Sequence, residues 1–171
     1  LKTTVHFIYH FLMEGQRAGQ EHYYYILFPV CGLILTLTVS TYFFKEKLGH
    51  GVSTVLFHIS KGSSLMKKRM MASRMVTSAI TVGLGGSVGL EAPIVLTGSA
   101  IGSNIGRFAH LHYKERTLLI GCGSAAAVSA IFNSPIAGVI FATEVILSEV
   151  KISKFIPLLI ASVVGSLISL L

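Results

Sequence analysis

Long stretches without a single charged residue limit the fold of this chain more than any other feature. Residues 23–44, 117–143 and 155–171 contain no charge, and residues 75–106 contain only Glu91. A helix needs about 20 consecutive apolar residues to cross the hydrocarbon core of a bilayer. Only 12% of the residues are charged, against roughly 25% in soluble domains. The sequence therefore predicts an all-α integral membrane protein in contact with the lipid bilayer.

The charge and cysteine content exclude several other classes of protein. The formal net charge is +7, but the basic residues flank apolar stretches as they do in membrane proteins, so no nucleic-acid partner is expected. The cysteines Cys31 and Cys122 both lie inside apolar runs, which excludes a secreted disulfide scaffold. The chain starts at Leu1 and ends in an apolar run, so we expect residues 1–171 to be a fragment with one transmembrane domain.

Two of the apolar runs are broken by glycine and proline. In residues 75–106 the glycines that end at Gly89 precede Pro93, and residues 117–143 are interrupted at Asn133–Pro135. These residues predict helices that stop and restart. Irregular backbone at membrane depth is tolerated where it is buried in protein or lines a cavity, and transporters place substrate sites at such breaks. The pattern therefore indicates a transporter.

Glu91 is the first candidate functional residue because it is alone in the most apolar part of the chain. A carboxylate is costly within a bilayer unless donors surround it. The expected start of a helix at Glu91 supplies free backbone N–H groups and a favourable dipole. A carboxylate held in such a site can compete with a transported anion, although a plain capping acid is the alternative interpretation.

Other polar residues are weaker candidates. His50, between Gly49 and Gly51, can donate a hydrogen bond at a second expected helix start, or can be an ordinary interfacial histidine. Glu144 is compatible with a proton relay or with a structural carboxylate paired within the bundle. The remaining histidines have no spacing typical of a metal site, so neither a metal nor a cofactor is expected. The glycines at 98, 102 and 106 predict close helix packing.

Three motifs resemble the CLC family of voltage-gated chloride channels and chloride/proton antiporters. Residues 89–93 (Gly-Leu-Glu-Ala-Pro) are similar to its Gly-Lys/Arg-Glu-Gly-Pro motif, and residues 125–141 to its Ala-rich segment with Phe-Asn-Ala-Pro-Leu-Ala-Gly. Residues 49–51 lie where the family has Gly-Ser-Gly-Ile-Pro. The resemblance implies the inverted-repeat fold with broken, tilted helices, of which only the first repeat is present, and a homodimer with one anion pathway per subunit.

The resemblance also assigns roles to residues. Glu91 matches the gating glutamate and proton acceptor, and His50 matches the serine that donates to the central chloride. The other implied anion-binding residues are Gly49, Gly51, Gly89, Leu90, Ala92 and Pro93.

Several residues depart from the family pattern. His50 replaces the pore serine, which bears on anion selectivity, and Ala92 replaces a glycine. Glu144 matches the first, structural acid of a pair in the antiporters, whereas Val145 occupies the position of the inner proton glutamate. Because valine cannot carry a proton, Val145 favours an uncoupled channel.

The sequence thus predicts a chloride channel gated by Glu91, with no enzymatic activity. The alternatives are a chloride/proton antiporter, a protein of the family selective for another anion such as fluoride or nitrate, and a membrane scaffold without transport. We expect chloride, and protons in the antiport case, to be the transported ions, and the plasma membrane of a prokaryote to be the location.

Overall fold

The computed structural model describes residues 27–44, 51–62, 64–87, 89–147 and 154–170. Within those ranges the regular structure is helical and no strand occurs, which confirms the predicted all-α class. In chain order the helices of these ranges are α1 (Leu27–Thr38), α2 (Gly51–Ser60), α3 (Met70–Gly83), α4 (Glu91–Phe108), α5 (Tyr113–Phe132), α6 (Pro135–Phe141) and α7 (Phe155–Leu170). Helix α1 continues into a π-helical turn at Val39–Phe44, and α6 continues into one at Ala142–Ile146.

The predicted break between α3 and α4 is confirmed. Helix α3 ends at Gly83, and Gly85 follows with a φ of 86°. Glycine adopts this left-handed conformation without the steric cost that a Cβ would bring. Helix α4 then begins at Glu91 and carries Pro93 in its first turn, where the missing N–H of proline costs no intrahelical hydrogen bond.

The predicted interruption after α5 is also confirmed. Asn133 ends the helix in a left-handed conformation with a φ of 50°, which asparagine tolerates better than most residues. The Ser134 hydroxyl accepts a hydrogen bond from the backbone N–H of Ala137 at 3.4 Å, and Pro135 is the first residue of α6. A serine cap followed by proline starts a helix in the way that the sequence predicts.

The chain forms two compact units, and the first comprises residues 1–48 and 75–90. Its described part packs α1 against the second half of α3. The hydroxyls of Thr36 and Thr81 are hydrogen-bonded at 2.8 Å, and a Cβ added to Gly32 would lie 2.9 Å from the Cβ of Leu84. Small and hydroxyl-bearing residues therefore let these two helices approach closely, as in other membrane helices.

The second unit comprises residues 49–74 and 91–171. Its buried core includes the fully or almost fully buried side chains of Val55, Leu96, Ile120, Ile146 and Leu158. These residues come from α2, α4, α5, the π-helical turn after α6, and α7.

Glycines on α4 and α5 carry the closest helix contact in this unit. A Cβ at Gly98 would overlap the carbonyl oxygen of Gly123, and one at Gly102 would overlap that of Leu119. The predicted close packing of the small residues of α4 is therefore confirmed, and the partner helix is α5.

Serine hydroxyls connect α5, α6 and α7. Ser129 donates to the carbonyl of Ser162 at 2.6 Å, and Ser162 donates to the carbonyl of Pro135 at 2.6 Å. Ser169 donates to the carbonyl of Ala130 at 2.7 Å. Such hydrogen bonds between helices are typical of membrane interiors, where water cannot satisfy polar groups.

The outer faces of several helices are apolar. On α7 the exposed side chains include Ile156, Ile160, Leu167 and Ile168. In the described part of the chain, Tyr113–Phe132 is the one helix that is both long and apolar enough to span a bilayer by length and composition. The shorter apolar helices are Pro29–Tyr42, Gly51–Ser60, Pro135–Ile146 and Phe155–Leu170.

Candidate functional site

Glu91 is the first residue of α4, as the sequence predicts. Its side chain is exposed, and it forms no hydrogen bond or ion pair with another residue of the described ranges. The first turn of a helix leaves its backbone N–H groups without intrahelical partners. Here Pro93 has no N–H, so the start of α4 leaves the N–H groups of Glu91 and Ala92 as free donors.

The first residue of α2 lies against the first turn of α4. Gly51 has a φ of 27°, and a Cβ added to it would lie 2.8 Å from the Cβ of Ala92. Only a residue without a side chain permits this approach, because a real Cβ is almost never found at such a distance. The N-termini of α2 and α4 therefore come together at Gly51 and Ala92.

Helices α2 and α4 run side by side in the same direction. The segment after α2 is hydrogen-bonded to the C-terminal half of α4, where Ser103 donates to the carbonyl of Ser64 at 2.7 Å. Because Gly51 meets Ala92 at the other end, both helices start at one end of the pair and finish at the other. Each N-terminus is equivalent to roughly half a positive charge, so the two dipoles add at the site of Gly51 and Ala92.

This arrangement can hold a small anion without a cationic side chain. Backbone N–H groups at a helix start point at an anion, and the dipole favours negative charge there. A carboxylate beside those donors has the same charge as such an anion and can compete with it for them. The geometry therefore brings two helix starts, which favour negative charge, to the turn that carries Glu91.

The described structure brings together some of the predicted site residues. Gly51 and Ala92 are in contact, and Glu91 and Pro93 lie in the same turn as Ala92. Gly89 and Leu90 directly precede α4 in the chain, and they belong to the first compact unit. The predicted residues Gly49 and His50 lie outside the described residues.

Glu144 and Val145 lie in the π-helical turn Ala142–Ile146. The N–H of Leu147 donates to the carbonyl of Ala142 at 2.9 Å, which closes this wider turn. Both Glu144 and Val145 are exposed, and within the described ranges Glu144 has no hydrogen-bonded or ionic partner. The pairing of Glu144 within the bundle is therefore absent among the described residues. π-Helical turns occur often at functional sites.

No group of three potential metal ligands occurs among the described residues. The histidines at 6, 10 and 22 lie outside the described ranges. His110 and His112 lie in the connection between α4 and α5. His58 is half-buried in the last turn of α2.

The sequence interpretation missed two features of the site. It treated Ala92 as an implied anion-binding residue and as a departure from a motif, but did not foresee that the Ala92 methyl group forms the surface on which Gly51 packs. It also gave Ser103 no part in the site, whereas the Ser103 hydroxyl is hydrogen-bonded to the segment after α2. The positive φ of Gly51 and the burial of Ser103 are features of single residues. The residues that Gly51 and Ser103 contact are distant in sequence, so the sequence pattern does not reveal them.

Comparison with known proteins identifies the family. The family model described as voltage gated chloride channel matches residues 24–171. The chain is 28% identical over 147 residues to a ClcB-like protein of Ralstonia nicotianae, covering 84% of this chain and 34% of the relative. It is 32% identical over 156 residues to the chloride channel protein CLC-b of Arabidopsis thaliana, covering 80% and 20%.

A third relative is named for two anions. The chloride/fluoride channel protein of Pseudomonas syringae is 22% identical over 140 residues, which cover 81% of this chain and 30% of the relative. The chain thus spans about a fifth to a third of the length of these relatives. Since the family model covers most of the chain, the chain belongs to the voltage-gated chloride channel family, whose fold is an all-helical membrane fold.

Proposed function

We propose that the protein moves chloride or a related small anion across a membrane, and that the paired N-termini of α2 and α4 attract the anion. The observation that carries this proposal is the contact between Gly51 and Ala92, which brings two helix starts to one point. Membership in the voltage-gated chloride channel family supports the same activity. Transport rather than enzymatic catalysis is therefore the proposed role, with no resident cofactor.

The proposed mechanism is passive conduction gated by Glu91. The carboxylate, when ionised, occupies the donors at the start of α4, and a proton or an incoming anion displaces it. The exposure of Glu91 and its lack of partners in the described ranges support a side chain that is free to move. Val145 supports conduction without coupled protons, since it has no ionisable group.

Chloride/proton antiport is the second candidate. Glu91 is accessible to protons from solvent, and Glu144 is a second exposed carboxylate on the turn that contacts α2. A route between these two groups would couple proton and anion movement. Fluoride and nitrate are further candidate anions, and the name of the Pseudomonas syringae relative supports fluoride. A homodimer in the plasma membrane of a prokaryote completes the proposal.

Flux measurements on the intact protein in liposomes test these proposals. Vesicles loaded with chloride are diluted into chloride-free buffer while chloride efflux and external pH are recorded together. We expect chloride efflux without coupled proton movement. Proton uptake driven by the chloride gradient would establish antiport and contradict the role of Val145. Absence of flux with chloride, fluoride and nitrate would contradict transport and favour a scaffold.

Replacing Gly51 with alanine should impair anion flux. The substitution places a Cβ 2.8 Å from Ala92 and forces a non-glycine residue to a φ of 27°, and strained backbone of this kind costs about 1–3 kcal/mol. The helix starts must therefore separate, and we expect flux to fall by about fivefold or more. Flux is measured in the liposome assay with equal amounts of folded protein.

The double variant Gly51→Ala/Ala92→Gly is the matched control. It removes the methyl group against which the new Cβ clashes, and leaves the backbone strain at residue 51 in place. Partial recovery of flux is therefore expected. Wild-type flux in the single variant would show that the contact between α2 and α4 is not needed.

A further inference from the structure

The segment that follows α2 is a non-helical connection that is hydrogen-bonded to the C-terminal half of α4, and two of its described residues are buried. Ser64 is fully buried and has a φ of 44°, and Met66 is 1% exposed. Buried backbone groups outside a helix still need hydrogen-bond partners, because no water reaches them. Hydrogen bonds from α4 and α5 therefore offset much of the free-energy cost of burying the polar groups of Ser64 and Met66.

Ser103 supplies two of those partners with one hydroxyl group. Its Oγ donates to the carbonyl of Ser64 at 2.7 Å and accepts from the N–H of Met66 at 3.0 Å. Asn104 adds a longer bond from Nδ2 to the carbonyl of Met66 at 3.4 Å. We call Ser64, Met66 and Ser103 the Ser103 clamp.

Helix α5 holds the same connection from its other side. The hydroxyls of Ser64 and Thr117 are hydrogen-bonded at 2.8 Å. The hydroxyl of Tyr113 donates to the carbonyl of Ile59, in the last turn of α2, at 2.9 Å. The end of α2 is therefore fixed to two helices.

The clamp and the proposed anion site lie at opposite ends of the parallel pair α2 and α4. Helix α2 has 10 residues, and at 1.5 Å per residue it is about 15 Å long. Ala92 and Ser103 are separated by a similar length of α4, about 16 Å by the same rise. A shift of α2 at the clamp is consequently transmitted along the helix to Gly51.

We propose that Ser103 is a positioning residue for anion transport: by holding the end of α2, it sets the distance between the helix starts at Gly51 and Ala92. This inference rests on the proposed function and adds a residue that is remote from the anion. The hydroxyl acts through α2 and does not contact the ion. Its loss alters which anions the site prefers and how strongly Glu91 competes with them.

The test uses Ser103→Ala in the intact protein. Chloride and nitrate fluxes are measured in liposomes at several pH values, and the ratio of the two fluxes is compared with wild type. A merely structural loss lowers the amount of folded protein and leaves this ratio unchanged. We expect the ratio to change by about twofold or more, as for other residues that couple to a distant site.

Ser99→Ala is the matched control. Ser99 lies one turn earlier on α4 and is also fully buried, but its Oγ has no hydrogen-bond partner in the described structure. Removing this hydroxyl should leave the flux ratio and the pH profile unchanged. Equal shifts in Ser99→Ala and Ser103→Ala would overturn the positioning role, because the effect would then reflect the loss of any buried hydroxyl.

A second readout separates the positioning role from transport itself. A nitroxide is attached to a cysteine at Ser53, an exposed residue in the first turn of α2, after Cys31 and Cys122 have been replaced by serine. Ser103→Ala should increase the mobility of the label, and Ser99→Ala should not. Unchanged mobility in Ser103→Ala would overturn the proposal even if flux fell.

Two further outcomes are informative. If the labelled protein responds as expected but wild type transports no anion, the proposed function fails while the mechanical coupling stands. If Ser103→Ala does not fold, Thr117→Val removes the hydrogen bond between Thr117 and Ser64 with little change in volume. That variant should shift the flux ratio in the same direction by a smaller factor, and an unchanged ratio would overturn the proposal.

Discussion

Replacing Glu91 with glutamine should raise anion flux at neutral pH and remove most of its dependence on pH. Glutamine retains the size of the side chain but carries no charge, so it cannot compete as an anion for the donors at the start of α4. The interaction of a carboxylate with a helix N-terminus is worth about 0.3–1 kcal/mol, which corresponds to roughly a two- to fivefold change in occupancy. We therefore expect flux at pH 7 to rise by about that factor.

The pH profile is the sharper measurement for Glu91. In wild type, flux should increase as the pH falls and Glu91 gains a proton, whereas Glu91→Gln should show an almost flat profile. Liposome flux recorded at a series of pH values for both proteins provides the comparison. A profile in Glu91→Gln with the wild-type shape would remove Glu91 from the gate.

Glu115→Gln is the control for Glu91→Gln. Glu115 is also an exposed glutamate in the first turn of a helix, where its carboxylate accepts a hydrogen bond from the N–H of His112 at 3.2 Å. Glutamine at this position of a capping box makes the same bond. Because the start of α5 is not paired with a second helix start in the site, the pH profile should keep its wild-type shape.

The breaks in the helices could be predicted from the sequence because their causes are local. Gly85 adopts a conformation that glycine favours, and Pro93 and Pro135 can stand only near the start of a helix in this context. The residues around Asn133 likewise combine a left-handed end with a capping serine. Each signal resides in a few neighbouring residues, so no knowledge of the tertiary fold is required.

The contacts that form the site could not be predicted, since they join residues distant in sequence. Gly51 and Ala92 are 41 positions apart, and neither residue has a polar or charged side chain that would indicate a contact partner. The bonds of Ser103 to Ser64 and Met66 have the same character. Resemblance to a family suggested which helix starts bind the anion. Only the structure shows that the Ser103 hydroxyl is hydrogen-bonded to the segment at the end of α2.

The π-helical turn at Ala142–Ile146 also escaped the sequence interpretation. Its residues read as a continuation of an apolar helix, and the extra residue in the turn has no signature comparable to that of proline or glycine. The turn changes the angular position of the residues that follow it relative to a regular α-helix. It leaves Glu144 exposed, whereas the sequence left open both a proton relay and a structural carboxylate paired within the bundle.

Replacing Gly102 with alanine should strongly destabilise the second unit. A Cβ at Gly102 would overlap the carbonyl oxygen of Leu119, and this oxygen belongs to the backbone of α5, so it cannot rotate away. The helices must separate along the contact that also includes Gly98 and Gly123. Overpacking of this kind costs about 1–3 kcal/mol, which exceeds the gain of up to about 1 kcal/mol from the higher helix propensity of alanine.

Gly106→Ala is the matched control for Gly102→Ala, because it makes the same substitution one turn further along α4. There the nearest atoms to the new Cβ are the Cγ of Arg116 at 3.0 Å and the Cδ1 of Leu119 at 3.2 Å, so side-chain atoms need to shift only slightly and no backbone atom overlaps the Cβ. Thermal unfolding of both variants in detergent should therefore differ. We expect the unfolding temperature to fall by about 5 °C or more in Gly102→Ala and to change little in Gly106→Ala. An unchanged unfolding temperature in Gly102→Ala would mean that α4 and α5 do not pack through glycine. The contact that fixes the position of α4, and with it the site at the N-terminus of α4, would then have to be a different one.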